Sequence, residues 1–205
     1  MTKRIALLAT GGTIACTYGD TGYRPTLTAK ELIAGIHFPS DIAPVDVFCL
    51  DSSNMQPEEW CVLAQAVYDA AQDCDGVVIT HGTDTMAYTA SALSFMLPGL
   101  AKPVIFTGAQ LPISDPRSDA RENLITALEI ASARHEGKPI VPEVCIYFDY
   151  ELIRGCRARK VESMYFDAFH SENYPPLAKA GVKIDYATEA IRARPTGKLS
   201  MRSRF

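Results

Sequence analysis

The segment VVITHGTDT, residues 77–85, contains a run of apolar and β-favouring residues that passes directly into a cluster of polar and small ones. The first four residues are typical of a buried strand. An ordinary turn needs one Gly and one Asn or Asp, whereas residues 81–85 are all small or polar. The segment therefore predicts a buried strand whose polar end has a role beyond turning the chain.

Five segments have this strand character, and helical patterns lie between them. The predicted strands cover residues 5–9, 45–50, 76–80, 103–107 and 143–148. Because strand and helix alternate, the sequence predicts an α/β fold with three layers, in which helices cover both faces of a mainly parallel sheet.

Two helix starts carry clear signals. Thr28 and Glu31 have the spacing of a capping box, in which each residue satisfies a backbone N–H group of the other. Pro57 suits the first position of a second helix, where its missing N–H costs nothing. Apolar residues then recur at helical spacing in both segments.

Two further helices are predicted downstream. One begins near Asp84 and ends before the Pro-Gly pair at residues 98–99. The other runs from Asp119, with Glu122 completing a capping box, to a glycine C-terminal signal at Gly137.

The composition is that of a globular domain. The chain has 205 residues, 47% hydrophobic and 21% charged, which fits one sizeable domain or one domain with a tail. A formal net charge of −4 gives no reason to expect nucleic acid as a partner. No window approaches the roughly 20 apolar residues needed to span a bilayer. The first ten residues lack the pattern of a signal peptide, so a cytoplasmic protein is expected.

Each of the first four predicted strands is followed at once by a polar cluster. The clusters cover residues 10–13, 51–54, 80–85 and 107–110. In a parallel sheet these strand ends lie at one edge, which is where open α/β sheets bind ligands. Helix N-caps would explain one hydroxyl at each junction, but the first three clusters alone bring seven Ser and Thr hydroxyls to this edge. Convergence on a small polar ligand is therefore the favoured interpretation.

Neither a nucleotide nor a metal is favoured as that ligand. The dinucleotide and phosphate-loop glycine patterns are absent. No C-x-x-C pair occurs, and the four histidines lack ligand spacing: His37, His81, His135 and His170. His81 is expected to be a hydrogen-bonding wall of the site.

The residue types at this edge leave a threonine nucleophile as the candidate chemistry. A Thr hydroxyl is a poor nucleophile until a base removes its proton, and a Lys of lowered pKa can act as that base. Asp84, next to Thr83, could orient the Lys or the amino group of a substrate.

Six segments together resemble the bacterial-type L-asparaginases, in particular their cytoplasmic type I branch. They are ATGGTIA (9–15), DSSNM (51–55), ITHGTDTM (79–86), TGAQLP (107–112), SDARENL (118–124) and YFDYELIRGCRARK (147–160). The resemblance covers nearly the whole chain. It implies the Rossmann-like or flavodoxin-like asparaginase N-terminal domain, and a cofactor-free threonine amidohydrolase that converts L-asparagine to L-aspartate and ammonia.

The resemblance also implies the catalytic residues. Thr13 is the primary nucleophile, and Tyr23, in a mobile loop at residues 16–25, is its hydrogen-bonding partner. Thr83, Asp84 and Lys160 match the second catalytic triad of the family. Taken alone, Lys160 would be read as a solvated side chain.

The substrate-binding positions follow from the same motifs. Ser52 and Ser53 match positions that hold the α-carboxylate and neighbouring groups, and Asp84 grips the α-ammonium. The implied substrate site comprises Gly12, Asp51, Ser52, Ser53, Gly82 and Ala109.

The basicity of Lys160 has two interpretations. Three positive neighbours in the sequence, Arg154, Arg157 and Arg159, could lower its pKa, or their side chains could point away.

Two domains are implied by the resemblance. Residues 1–182 correspond to the N-terminal catalytic domain and residues 183–205 to the interdomain linker, so the C-terminal domain is expected to be absent. In the family that domain completes a neighbouring subunit's site within a homo-oligomer, a dimer or tetramer. A pocket open on one side, with weakened catalysis, is therefore expected.

Three alternatives remain at this point. The chain could be a non-catalytic asparagine-binding or aspartate-binding domain, or a scaffold that keeps only the fold. It could also be the asparaginase-like subunit of an archaeal tRNA-dependent amidotransferase, which the short segment before the first strand disfavours. L-glutamine is a weaker candidate substrate beside L-asparagine.

Overall fold

The computed structural model describes residues 2–19 and 22–203. Its strands are β1 (Arg4–Gly11), β2 (Cys16–Gly19), β3 (Gly22–Pro25), β4 (Asp41–Leu50), β5 (Gly76–Thr80), β6 (Val104–Thr107), β7 (Arg134–His135), β8 (Lys138–Pro139), β9 (Val144–Phe148), β10 (Glu151–Arg154), β11 (Arg159–Lys160), β12 (Phe169–His170), β13 (Ala178–Ala180) and β14 (Ile184–Tyr186). Its α-helices are α1 (Ala29–Leu32), α2 (Pro57–Asp73), α3 (Met86–Met96) and α4 (Ala120–Ser132). Single 3-10 turns lie at Thr13–Ala15, Ser52–Asn54 and Gly155–Arg157.

The central sheet has the order β14-β13-β10-β9-β6-β5-β1-β4 within the described ranges. Strands β4, β1, β5, β6 and β9 are parallel to one another, and the pairs beyond β9 are antiparallel. The prediction of an α/β fold with a mainly parallel sheet is confirmed.

The three layers follow from side-chain alternation along the buried strands. In β1, Ala6 and Leu8 pack in the core formed with α2 and α3, whereas Ile5 and Leu7 pack in the core formed with α1 and α4. Every residue of β5 is buried. Parallel strands buried on both faces read as continuous apolar runs, which is why the strand at residues 76–80 was visible in the sequence.

Both early helix signals are confirmed. The Glu31 N–H donates to Thr28 Oγ1 at 3.2 Å, and the Thr28 N–H donates to Glu31 Oε2 at 2.8 Å, which completes the capping box of α1. Helix α2 begins with Pro57 at its first position.

The capping box predicted at Asp119 is wrong. The Asp119 carboxylate caps no helix N–H. It accepts instead from the backbone N–H groups of Gln110, at 3.0 and 3.1 Å, and of Leu111, at 3.2 Å. Glu122 accepts from the hydroxyl of Tyr147 at 2.7 Å. Tertiary partners have therefore replaced the local cap.

The predicted end of the fourth helix is also wrong, since α4 stops at Ser132 rather than near Gly137. The intervening residues form the hairpin β7–β8. Glu136 and Gly137 have φ values of 50° and 77°, and two positive φ angles in succession are typical of a two-residue hairpin turn. Gly137 thus serves a hairpin and not a helix end.

Strands β10, β13 and β14 were not predicted. They are three or four residues long and lie at the antiparallel side of the sheet. Strand β14 falls within the predicted linker at residues 183–205, of which residues 204 and 205 lie outside the described ranges. The described part of the chain contains no helix long and apolar enough to cross a membrane.

A buried ion pair ties the end of the chain to the sheet. The Glu143 carboxylate accepts from Arg154 Nε at 2.6 Å, and these side chains are only 5% and 14% exposed. It also accepts from the Arg192 N–H at 2.8 Å. Arg154 in turn donates to the carbonyl of Ala190 at 2.9 Å and lies 4.3 Å from the ring centre of Tyr174. These contacts hold residues 190–192 against the domain.

Glu143→Gln is expected to lower the free energy of unfolding by about 3 kcal/mol, because it leaves a buried guanidinium without its anion. Urea denaturation followed by circular dichroism measures this. Limited proteolysis should also cut the segment after residue 187 faster. The control is Glu172→Gln, whose ion pair with Arg159 is largely exposed and should contribute little. Equal stability losses in both variants would contradict the assignment.

Candidate active site

A cavity of about 260 Å³ lies at the carboxyl ends of the parallel strands. Most of the residues singled out in the sequence line it: Gly12, Thr13, Tyr23, Asp51, Ser52, Gly82, Thr83, Asp84 and Lys160. Four residues that the sequence analysis did not select line it as well: Cys16, Pro25, Gln110 and Ser163. Side chains from distant parts of the chain therefore share one space.

Two selected residues do not line this cavity. Ser53 is exposed, and its hydroxyl donates to the Asp51 carboxylate at 2.8 Å. Ala109 is fully buried and packs in the core beside α4. In the motif at residues 107–112, Gln110 faces the cavity and the neighbouring Ala109 does not.

Lys160, on β11, contacts two side chains of the turn that follows β5. Its Nζ donates to Thr83 Oγ1 at 2.8 Å and to Asp84 Oδ1 at 2.7 Å, across a sequence separation of more than 70 residues. The Lys160 side chain is 17% exposed, and that of Asp84 is 64% exposed. A partly desolvated amine thus touches a hydroxyl oxygen and a solvated carboxylate at once.

The three arginines near Lys160 in the sequence have other partners or lie at the surface. Arg154 pairs with Glu143, and Arg159 lies 3.3 Å from Glu172 at the surface. Arg157 is exposed. The charge that contacts Lys160 is therefore the carboxylate of Asp84.

Gln110 anchors the other side of Thr83. The Thr83 hydroxyl donates to Gln110 Oε1 at 3.4 Å, because its oxygen already accepts from Lys160. Gln110 Nε2 donates to the carbonyl of Tyr165 at 2.9 Å. Its backbone N–H is held by Asp119. The sequence signal was present in the polar cluster at residues 107–110, but the spacing did not say which member faces the site.

Two glycine-rich turns touch each other at the floor of the cavity. A Cβ atom added to Gly12 would lie 2.3 Å from the backbone nitrogen of Gly82, and Gly12 has a φ of +77°. The Gly12 N–H donates to the carbonyl of Leu50 at 2.9 Å. No side chain fits between these backbones, so only glycine permits the approach.

The turn after β4 completes the floor. Asp51 Oδ1 accepts from the Ser53 N–H at 2.9 Å and so caps the 3-10 turn that begins at Ser52. Ser52 is buried, and its carbonyl accepts from Thr85 Oγ1 at 2.8 Å. Its hydroxyl would lie 2.5 Å from a Cβ added to Gly82, so Ser52 packs directly on the second glycine turn.

Thr13 and Tyr23 occupy opposite ends of one short segment. Thr13 begins the 3-10 turn after β1 and is half-buried. Tyr23 lies on hairpin β2–β3, is 60% exposed and packs edge-on against Tyr18 at a centroid distance of 5.4 Å. Residues 20 and 21 of the predicted mobile loop lie outside the described ranges. A well-exposed phenol and a half-buried hydroxyl thus line the same cavity.

His81 lies beneath the cavity and does not form its wall. The ring is 0% exposed and packs edge-on against Phe106. Nδ1 lies 2.8 Å from the carbonyl oxygen of Gly82, whereas Nε2 has no partner among the described residues. Burial lowers the pKa of His81 to about 4, so the imidazole is neutral near pH 7.

The cavity is open on one side. A groove of about 720 Å³ shares Asp84, Lys160 and Ser163 with it and continues along α3 past Tyr88. Tyr88 is well exposed. Over the described ranges, no group of three or more His, Cys, Asp or Glu side chains is arranged to hold a metal ion.

The chain is similar to known proteins over most of its length. The family model described as asparaginase, N-terminal, matches residues 4–192. The L-asparaginase of Thermococcus kodakarensis is 42% identical over 179 residues, which cover 85% of this chain and 53% of that protein. L-asparaginase 1 of Escherichia coli (strain K12) is 43% identical over 193 residues, which cover 89% and 54%. The structure of L-asparaginase I from Vibrio cholerae superposes with a TM-score of 0.87 at 38% identity, covering 98% of this chain and 61% of that one. The chain spans about half the length of the curated relatives it matches.

The stability of the fold should depend on pH through His81. Its pKa is about 4 in the folded state and near 6.5 when unfolded, so the unfolded chain binds the extra proton between these values. The free energy of unfolding should therefore fall by about 2 kcal/mol between pH 7 and pH 5 on account of this group. Denaturant titrations of the parent and of His81→Leu at both pH values measure the difference. Equal pH dependence in the two chains would contradict the prediction.

Proposed function

We propose, since the chain belongs to the asparaginase family, that it hydrolyses L-asparagine to L-aspartate and ammonia. The observation that carries the proposal is the contact of Lys160 Nζ with both Thr83 and Asp84 in the cavity that Thr13 lines. A threonine hydroxyl requires a base to become a nucleophile. Lys160 lies 2.8 Å from Thr83 Oγ1 in the cavity that Thr13 lines, so it can act as that base through the Thr83 hydroxyl.

Substrate positioning is assigned to the polar groups around the cavity. Ser52 and backbone N–H groups hold the α-carboxylate, and the solvated carboxylate of Asp84 binds the α-ammonium. Hydrogen bonds to the α-carboxylate and the ion pair to the α-ammonium together fix the side-chain amide of a small amino acid against Thr13. Such positioning converts a bimolecular attack into an intramolecular one.

The chemical steps begin at Thr13. Its Oγ1 attacks the amide carbon and loses its proton, and the Tyr23 hydroxyl on hairpin β2–β3 is its hydrogen-bonding partner. The tetrahedral intermediate expels the amide nitrogen, which leaves as ammonia after gaining a proton, and an ester to Thr13 remains. Water then attacks the ester and releases L-aspartate.

The pair formed by Thr83 and Lys160 supplies the base in this scheme. Lys160 takes a proton through the Thr83 hydroxyl, and the adjoining carboxylate of Asp84 stabilises the resulting ammonium. Before the transfer, Gln110 accepts the hydrogen of the Thr83 hydroxyl. In the transfer, this hydrogen passes to Lys160 Nζ while the Thr83 oxygen takes the proton of Thr13. Backbone N–H groups of the two glycine turns donate to the developing oxyanion.

The remaining features of the proposal concern the whole protein. Residues 1–182 form the catalytic domain, and residues 183–205 form the linker that follows it. The enzyme is cytoplasmic and acts as a homo-oligomer, in which a neighbouring subunit covers the groove along α3. L-glutamine is a poorer substrate than L-asparagine. A purely binding or scaffold role is not favoured, because the relatives at 42% and 43% identity are L-asparaginases.

Substitutions in the site test the chemistry. Thr13→Ala and Lys160→Met are each expected to lower kcat for ammonia release at least about 1,000-fold, since each removes a reacting group. Thr83→Ala combined with Lys160→Met should lose little more than either alone, because contacting groups that act as a unit are not additive. A coupled ammonia assay with L-asparagine and L-glutamine measures all of them.

The matched control is Thr126→Ala. This hydroxyl bonds to Glu122 on α4, outside the cavity lining, and its loss should leave kcat unchanged. Ammonia release by Thr13→Ala at the parent rate would refute the nucleophile assignment. Calorimetric binding of L-aspartate by a parent chain that shows no turnover would favour the binding role instead.

A further inference from the structure

The peptide between Gly82 and Thr83 is held from below by the buried ring of His81. We propose that His81 is a positioning residue for catalysis: its imidazole fixes this peptide so that the Thr83 N–H points into the cavity as an oxyanion donor. The inference rests on the proposed function. It assigns a role to a residue that does not line the cavity.

The tautomer of the ring follows from its one hydrogen bond. Nδ1 lies 2.8 Å from the carbonyl oxygen of Gly82, and a carbonyl oxygen only accepts. Nδ1 therefore carries the hydrogen, and Nε2 is a bare acceptor. Burial keeps the ring neutral, with a pKa of about 4, so this tautomer persists throughout the neutral pH range.

Peptide geometry carries the effect to Thr83. The described peptide bonds are all trans, and in a trans peptide the C=O and N–H groups point in opposite directions. With the Gly82 oxygen drawn toward the core by His81, the N–H of Thr83 is directed away from the core, to the side where Gly82 and Thr83 line the cavity. This N–H makes no hydrogen bond to any other described residue.

The ring cannot easily move away from this position. The His81 backbone N–H donates to the carbonyl of Thr107 at 2.9 Å. A Cβ added to Gly108 would lie 2.4 Å from the carbonyl oxygen of His81, so the next turn presses on the same residue. The ring of Phe106 packs at a centroid distance of 5.9 Å. Strand, turn and aromatic ring together fix the imidazole, and the imidazole fixes the peptide.

The other ring nitrogen indicates that His81 does not serve stability. Nε2 is fully buried and has no partner among the described residues, which is a cost that an apolar side chain of similar volume would avoid. A polar group retained at such a cost next to a site is typical of a functional constraint. The use that remains for the ring is its hydrogen bond to Gly82.

Two substitutions separate positioning from packing. His81→Leu removes the donor and the unpaired acceptor together, so kcat should fall roughly 10-fold to 100-fold, which is less than the loss of a complete oxyanion donor. The KM for L-asparagine should change less than about 3-fold, since an oxyanion donor acts in the transition state. The melting temperature should not fall. His81→Asn places an amide N–H near Nδ1, and kcat should stay within about 5-fold of the parent.

A merely structural role predicts a different pattern. In that case kcat would fall equally in both variants, or only in proportion to the loss of melting temperature, and either result overturns the inference. A change confined to KM would overturn it as well.

A spectroscopic arm keeps the test separate from the proposed function. In ¹⁵N-labelled protein the Thr83 amide resonance should shift or broaden in His81→Leu and stay near its parent position in His81→Asn. An unchanged Thr83 amide in His81→Leu refutes the positioning role, even where the parent chain turns over no L-asparagine. Absence of turnover with the expected amide shifts would instead refute only the proposed function.

Discussion

The contact between the backbones of Gly12 and Gly82 is the constraint on which the site depends. Strands β1 and β5 are adjacent and parallel, so the turns that follow them emerge side by side at one edge. Because both turns lack side chains at the point of contact, they approach more closely than any other residues would allow. Thr13 and Thr83 each follow a glycine of this contact by one residue. The sheet register thereby sets where the two hydroxyls enter one cavity.

Two ion pairs of similar geometry have opposite roles, and their burial explains the difference. Glu143 and Arg154 are almost fully buried, and each also bonds to a backbone group of residues 190–192, so the pair fastens this segment to the rest of the fold. Asp84 is mostly solvated while Lys160 is largely covered. A carboxylate in water can exchange partners at low cost, which suits the proposed binding of a substrate ammonium by Asp84.

The sequence predicted those features that local physics determines. The buried strand β5 and the capping box at Thr28 depend on residues next to one another, and both were predicted correctly. Asp119 failed as a cap because its tertiary partner, the loop at Gln110, competes for the same carboxylate. The choice of Ala109 over Gln110 could not be corrected from spacing, since a loop has no period that says which side chain faces the site. Short strands such as β13 and the edge strand β14 depend on a partner strand and leave little periodic signal.

Polar groups without partners are distributed unevenly in this fold. Within the described ranges the buried side-chain atoms lacking a hydrogen bond belong to Thr80, His81 and Tyr186. Two of these are consecutive at the carboxyl end of β5, beneath the cavity, where an apolar pair would be more stable. Every residue of β5 is buried, as is every residue of β6 and β9. The hydrogen bond between His81 Nδ1 and the Gly82 carbonyl oxygen then connects the end of this strand to the peptide that lines the site.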